Sequence, residues 1–303
     1  MRTGKHTEGV EQPYRLCVFA ESFTMSLILC IEAAIEIMPC VKIESNKFSL
    51  FIPKSFLRAT MLIRVLRFIF GIYAALVFTV TMLIVLFAYV LIFSFAPKKK
   101  APKWAHRYVS YNWAKSLFIF FLVRWKIKNE HLINPKENYV FVANHRSMLD
   151  IPAYALASKN PFRFLAKIEL TKIPVLGFII RNLYITVDRK NKNDRVRSMD
   201  AMKKSLSDGI SIFICPEGTR NTTNQPLLDF RDGAFRIAIE AQVPIAVLTV
   251  KDADKLLSPL RPIELRPGTV ELIWSNPIPT KGMTMSDLDK LKNMARAQMI
   301  ANL

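Results

Sequence analysis

Apolar and polar positions fall into two regimes along the 303-residue chain. From 68 to 96 there are 29 residues without a charge, more than the ~20 a helix needs to cross a bilayer. That stretch predicts a membrane-associated helix that either spans with tilt or dips into one leaflet and returns. A second helical candidate, 104–125, contains the aromatic-rich run Leu117-Phe118-Ile119-Phe120-Phe121-Leu122-Val123 and has Trp104, Trp113 and Trp125 placed for the headgroup level. Beyond it, short apolar runs alternate with stretches of helical period. The runs at 139–142, 162–166, 183–187, 210–215, 245–250 and 269–274 read as strands, several continuous enough to be buried on both faces. Helices are expected at 150–158, through the repeat of Val196, Met199, Met202 and Leu206 ended by Gly209, at 234–241 and at 285–303. The alternation predicts an α/β fold: a mostly parallel central sheet flanked by helices, preceded by an N-terminal membrane-associated helical segment. Three regions are expected: 1–60, a poorly defined extension or over-long start; 61–128, the membrane-associated segment; and 129–303, the α/β domain. The apolar patch Ile173 to Ile180 is open to two readings, core or a lip facing lipid.

Charge changes the picture. Forty-three Lys and Arg against 24 Asp and Glu give a formal charge of +19, which calls for an anionic partner. Lys98, Lys99, Lys100 and Lys103 directly follow the uncharged run, where basic side chains are drawn to anionic headgroups. No zinc-finger spacing or aromatic RNA-binding signature is present, so nucleic acid is excluded as a partner. Arg64 and Arg67 flank the other end of the same run, so the positive charges give no orientation across the bilayer. Cys17, Cys30, Cys40 and Cys215 form no C-x-x-C pair, and the four histidines form no H-x-x-x-H pair. No metal site is expected.

The candidate chemistry lies at the ends of two strands. Asn144-His145-Arg146-Ser147-Met148-Leu149-Asp150 comes directly after the run at 139–142. A carboxylate five residues after a histidine can accept from one ring nitrogen, fix the tautomer and leave the other nitrogen free to take a proton. A bland alternative makes His145 a cap and Asp150 a solvated first-turn residue. Some seventy residues on, Pro216 stops the second strand and leads into Glu217-Gly218-Thr219-Arg220. Strand C-terminal edges are where open α/β sheets bind ligands. Gly218 permits close backbone approach, Thr219 offers a hydroxyl, and Arg220 presents a planar fork that matches phosphate oxygens.

The order and spacing of these blocks resemble the 1-acylglycerol-3-phosphate acyltransferases within the glycerolipid acyltransferase family. Asp188-Arg189 after an apolar run resembles the family's second block, Phe230-Arg231-Asp232-Gly233-Ala234-Phe235 the segment after E-G-T-R, and Val243-Pro244-Ile245-Ala246-Val247 the fourth block. Cys215 before Pro216, where many relatives carry Phe, and Arg231, where Lys is common, are departures. The resemblance implies transfer of a fatty acyl group to the free hydroxyl of lysophosphatidic acid, giving phosphatidic acid, with His145 as base and Asp150 orienting it. Arg189 and Arg220 would bind the phosphate, with Glu217, Gly218 and Thr219 shaping the loop; Asn144, Lys167 and Arg231 are secondary candidates. No cofactor is implied beyond an acyl-CoA or acyl-carrier-protein thioester as co-substrate. Membrane lipids are the expected surroundings, with the site on the cytoplasmic side, in a bacterial inner membrane. Acylation of another acceptor (glycerol-3-phosphate, another lysophospholipid, an acyl-amino-acid lipid) and a non-catalytic basic membrane-binding module stand as alternatives.

Overall fold

The computed structural model describes residues 40–45, 48–97, 100–173, 176–188 and 190–303. Two compact units divide after residue 66. In the first, β1 (Cys40–Ser45) pairs antiparallel with β2 (Phe48–Pro53). Most of the expected extension, 1–39, lies outside the described residues.

Helix α1 covers Lys54–Phe95. Its stretch Thr60–Phe95 is long and apolar enough to cross a membrane, and only 17% of its most apolar window is buried. One stripe of α1 packs on the protein. Met82, Val85 and Tyr89 meet Ala105 and Val109, and also Ile179 and Leu183 of α5 (Leu176–Leu183). The remaining faces present Leu76, Ile84, Phe87 and Phe95 outward. The patch read from 173 to 180 is therefore divided: Ile179 and Ile180 are buried and Ile173 is exposed.

After α1 the chain forms α2 (Ala101–Trp104), a π-helical segment Ala105–Ser110 and α3 (Tyr111–Phe120). Trp113 Nε1 donates to Thr81 Oγ1 at 3.2 Å, and the hydroxyls of Tyr89 and Ser110 lie 2.8 Å apart, tying this segment to α1. The helix expected to reach Trp125 stops at Phe120. Leu122 turns with positive φ and leads into β3 (Val123–Lys128). Side chains of β3 alternate between buried and exposed as it pairs in parallel with β9 (Gly268–Trp274).

The other strands are β4 (Val140–Ala143), β5 (Phe162–Lys167), β6 (Ile185–Val187), β7 (Ser211–Ile214) and β8 (Ile245–Lys251). The seven-stranded sheet has the order β3-β9-β8-β4-β7-β5-β6. All pairs are parallel except β8–β9. Continuous apolar runs form the central strands because both sheet faces are covered. On β4, Phe141 and Ala143 face the layer that includes α3 and α4 (Asp150–Ala157), while Val140 and Val142 face the layer of α6 (Lys192–Ser207), α7 (Gly233–Ala241) and α9 (Leu288–Asn302). Ile212, Phe213 and Ile214 of β7 divide between the layers in the same way. A short helix, α8 (Ala253–Leu256), begins the β8–β9 connection.

The topology places one edge apart. The C-terminal ends of β4, β7, β5, β6 and β8 lie together. Because β9 is antiparallel to β8, the N-terminal ends of β9 and β3 join them. The segments after His145, Lys167, Cys215 and Asp252 all leave from this edge, as does the Leu122 turn.

Candidate active site

His145 stands directly beyond β4, where the ladder would continue if the chain stayed extended. Asn144 holds the departure point. Its amide donates to the Val250 carbonyl and accepts from the Val250 N–H, both at 2.8 Å. The buried side chain thus acts as one more rung between β4 and β8 and is not turned to an anion. The hydroxyl of Tyr154 donates to the Asn144 carbonyl, and its ring stacks on Phe213 at 4.5 Å. Burial pushes the Tyr154 phenol well above its ordinary pKa, helped by the charges of Cys215 and Asp150.

His145 and Asp150 meet. Asp150 Oδ2 lies 2.9 Å from His145 Nδ1 and also accepts the N–H groups of Arg146 and Ser147, each at 2.7 Å. Asp150 opens α4 and is 1% exposed, so three donors on one oxygen offset the burial of the carboxylate. With a carboxylate as its partner, Nδ1 carries the ring hydrogen and Nε2 keeps its lone pair. Ser147 is used elsewhere: its hydroxyl donates to the Leu257 carbonyl at 2.8 Å and accepts from Leu149 N–H at 3.2 Å. The Arg146 guanidinium clasps Asp254 and the carbonyls of Thr223 and Gln225.

The second block docks on the first through His145's own backbone. Glu217 Oε1 accepts His145 N–H at 3.0 Å and its Oε2 accepts Leu228 N–H at 2.8 Å. Asn221 N–H donates to the His145 carbonyl at 2.7 Å. Both main-chain groups of the histidine are therefore held by the loop after β7. Glu217 is 3% exposed, and this burial raises its carboxyl pKa against the opposing pull of the two N–H donors. Gly218 turns at φ +74°, a conformation that suits glycine. Asn221 also shapes the turn through Gln225, accepting from the Thr223 N–H and hydroxyl and donating to the Gln225 carbonyl. The E-G-T-R pattern pointed to the loop but not to Asn221, whose partners are assembled only by the turn itself.

Thr219 is exposed and Arg220 half-buried. One terminal nitrogen of Arg220 lies against the Met148 sulfur, inside the N-H-x-x-x-x-D segment. Its Nε is buried without a hydrogen-bond partner in the protein. Lys167, at the end of β5, is exposed and pairs with Glu169 at 3.1 Å. Arg231 donates its N–H to the Pro216 carbonyl at 2.7 Å and leaves its side chain exposed. Arg189 lies outside the described residues. Among the described residues no group of three or more His, Cys, Asp or Glu is placed to hold a metal ion.

A buried carboxylate that fixes a histidine, beside a loop with an arginine, has counterparts in known proteins. A family model described as Acyltransferase matches residues 124–251. An uncharacterized acyltransferase of Schizosaccharomyces pombe is 32% identical over 179 residues, covering 58% of this chain and 64% of the relative. A 1-acyl-sn-glycerol-3-phosphate acyltransferase of Chlamydomonas reinhardtii is 27% identical over 206 residues (67% and 60%). The 1-acyl-sn-glycerol-3-phosphate acyltransferase alpha of Mus musculus is 29% identical over 180 residues (59% and 63%). The chain thus spans somewhat over three fifths of the length of these relatives. The crystal structure of the 1-acyl-sn-glycerophosphate (LPA) acyltransferase PlsC from Thermotoga maritima shares the fold, with a TM-score of 0.64 at 23% identity over 78% of this chain and 97% of that one. By its matched domain, its relatives and its fold, this chain belongs to the acyltransferase family.

Proposed function

We propose that the protein transfers a fatty acyl group from a thioester to the free hydroxyl of 1-acylglycerol-3-phosphate, giving phosphatidic acid. The observation that carries this reading is the junction at His145: its ring is oriented by Asp150 and its backbone is held by the loop that bears Arg220. Nε2 takes the proton from the glycerol hydroxyl as that oxygen attacks the thioester carbonyl. When the tetrahedral intermediate collapses, the C–S bond breaks and the departing sulfur takes the proton back from the imidazolium. No enzyme nucleophile and no cofactor are needed, because the acceptor hydroxyl attacks directly. The engaged hydroxyl of Ser147 accords with this.

The relatives' names support the acceptor, and Arg220 gives it a physical basis. A buried guanidinium N–H without an acceptor is costly, and a phosphate oxygen is a strong partner for it. The exposed apolar faces of α1 support a membrane setting, with the reacting edge on the cytoplasmic side where acyl thioesters are made.

The test is turnover by the purified full-length chain in mixed micelles of lysophosphatidic acid with an acyl thioester. Phosphatidic acid should form, and His145→Ala should abolish its formation while the protein stays folded and micelle-bound. Arg220→Ala should raise the acceptor KM about 10- to 100-fold, the loss of one charge-assisted contact. It should also erase the preference over an acceptor lacking phosphate. Retained turnover in His145→Ala, or unchanged discrimination in Arg220→Ala, would refute the corresponding assignment.

A further inference from the structure

Behind the Glu217-Gly218-Thr219 turn lies a cavity of about 790 Å³ that the dyad does not use. Its floor is apolar, formed by Leu165, Val187, Met199, Met202 and Ile214, and its rim carries Lys192, Arg195, Arg231 and Arg236. The acidic residues nearby are committed to other partners. Asp194 pairs with Arg197 at 2.6 Å, Glu240 with Lys203 at 2.6 Å and Asp232 with Lys292 at 3.0 Å. Among the described residues the four rim cations have no ion-pair partner, so a concave, apolar-floored site is left with about four uncompensated positive charges. Such a site concentrates polyanions, and its volume lies within the range of ligand pockets, roughly 300–1,000 Å³.

We propose, resting on the acyltransferase reading, that this cavity seats the phosphate-rich nucleotide end of a coenzyme A thioester, making coenzyme A the carrier of the acyl donor. Charge separates the candidates. The acceptor carries a single phosphomonoester, at most about −2, and Arg220 on the loop beside the dyad already faces that demand. The nucleotide end of coenzyme A adds a 3′-phosphate to a pyrophosphate, about −4 in all, which matches the four cations. Its adenine gives the methionine floor an aromatic face to pack against and the rim arginines a plane to stack on. An acyl carrier protein offers one phosphodiester on its arm, and its folded body cannot enter a concavity of this size. The wall between cavity and dyad is thin, because Glu217 both lines the cavity and holds the His145 N–H. A pantetheine arm leaving over that wall delivers its thioester to His145.

The test uses the full-length protein and the double variant Arg195→Gln/Arg236→Gln, both exposed positions outside the His145–Asp150 and Arg220 machinery. Adenosine 3′,5′-bisphosphate serves as the soluble probe in calorimetric titrations, alongside KM for acyl-CoA and for lysophosphatidic acid. The expected result is probe binding by the wild type, loss of it in the variant, and a rise of about tenfold or more in the acyl-CoA KM. The acceptor KM and the kcat at saturating donor should stay within about twofold, below the threefold that half a kcal/mol represents. A rise in the acceptor KM instead would place the acceptor headgroup in the cavity and overturn the proposal. Equal probe binding by both proteins would show the rim to be merely solvated, with the same consequence. Because calorimetry needs no turnover, a failure of the acyltransfer reading would appear separately as absence of product.

Discussion

At the scale of single residues, Asp150 has the most demanding position. One oxygen serves the His145 ring and two backbone N–H groups at once. Asp150→Asn either turns an amide donor toward those three donors or keeps its carbonyl there without the charge. Turnover should fall by roughly 10³–10⁴, as when the carboxylate of a comparable dyad is replaced by an amide. Steady-state kcat of the purified variant checks this, with circular dichroism to establish folding; a loss under tenfold would mean that Asp150 does not orient the base. His106 offers a test remote from the chemistry. Its Nε2–H donates to the Ser158 carbonyl at 3.1 Å and its ring meets Phe162 edge-on at 4.6 Å. Burial lowers its pKa from 6.5 to about 4. The folded state therefore binds fewer protons than the unfolded chain between those values. Stability should fall as pH drops from 6.5 towards 4, by roughly 3 kcal/mol for this group, with the loss complete below 4. Melting temperatures measured across that range should show the decline in the wild type and a shallower one in His106→Gln, which keeps a donor without titrating. Parallel curves would remove His106 as the cause. The dyad was legible because the spacing itself brings Asp150 back to His145. The roles of Glu217 and Asn144 were not, because their partners, the His145 N–H and the Val250 backbone, are delivered by strand pairing across 72 and 106 residues.

Elements show where local pattern yields to tertiary pairing. The strands from 139 to 250 were legible as continuous apolar runs. β3 was hidden by the aromatic run before it, although Val123, Trp125 and Ile127 alternate with Arg124, Lys126 and Lys128 as a half-exposed strand should. Pairing with β9 and the Leu122 turn decide the outcome. Gly71 is a second instance. Within an exposed helix, Gly→Ala is ordinarily stabilising by up to about 1 kcal/mol. Here the helix backbone is pressed against the β8–β9 loop, and a methyl group at Gly71 would stand 1.6 Å from the Ile263 carbonyl oxygen. Gly71→Ala should therefore destabilise, by about 1–3 kcal/mol as α1 or the loop moves away. Thermal unfolding in detergent gives the sign directly; an unchanged or raised melting temperature would mean that α1 does not lie against this loop.

At the scale of the whole molecule, the edge that holds the dyad is also the one that bears bare apolar side chains. Leu122, Met148, Leu170, Ile173, Leu260 and Ile263 come from four different connections at this edge and are 38% to 73% exposed. α1, with its own outward apolar faces, abuts the same loop at Gly71. If this edge rests on lipid, as the proposed function requires, the acceptor meets His145 by lateral diffusion and does not pass through bulk water. The quantity that sets the rate is then how crowded the surface is with acceptor, not how much acceptor the tube contains. At a fixed total amount of lysophosphatidic acid, adding inert detergent should slow turnover in proportion to the falling mole fraction, while raising acceptor and detergent together should leave saturated turnover unchanged. A rate that tracked total acceptor regardless of dilution would show that the enzyme draws its substrate from solution.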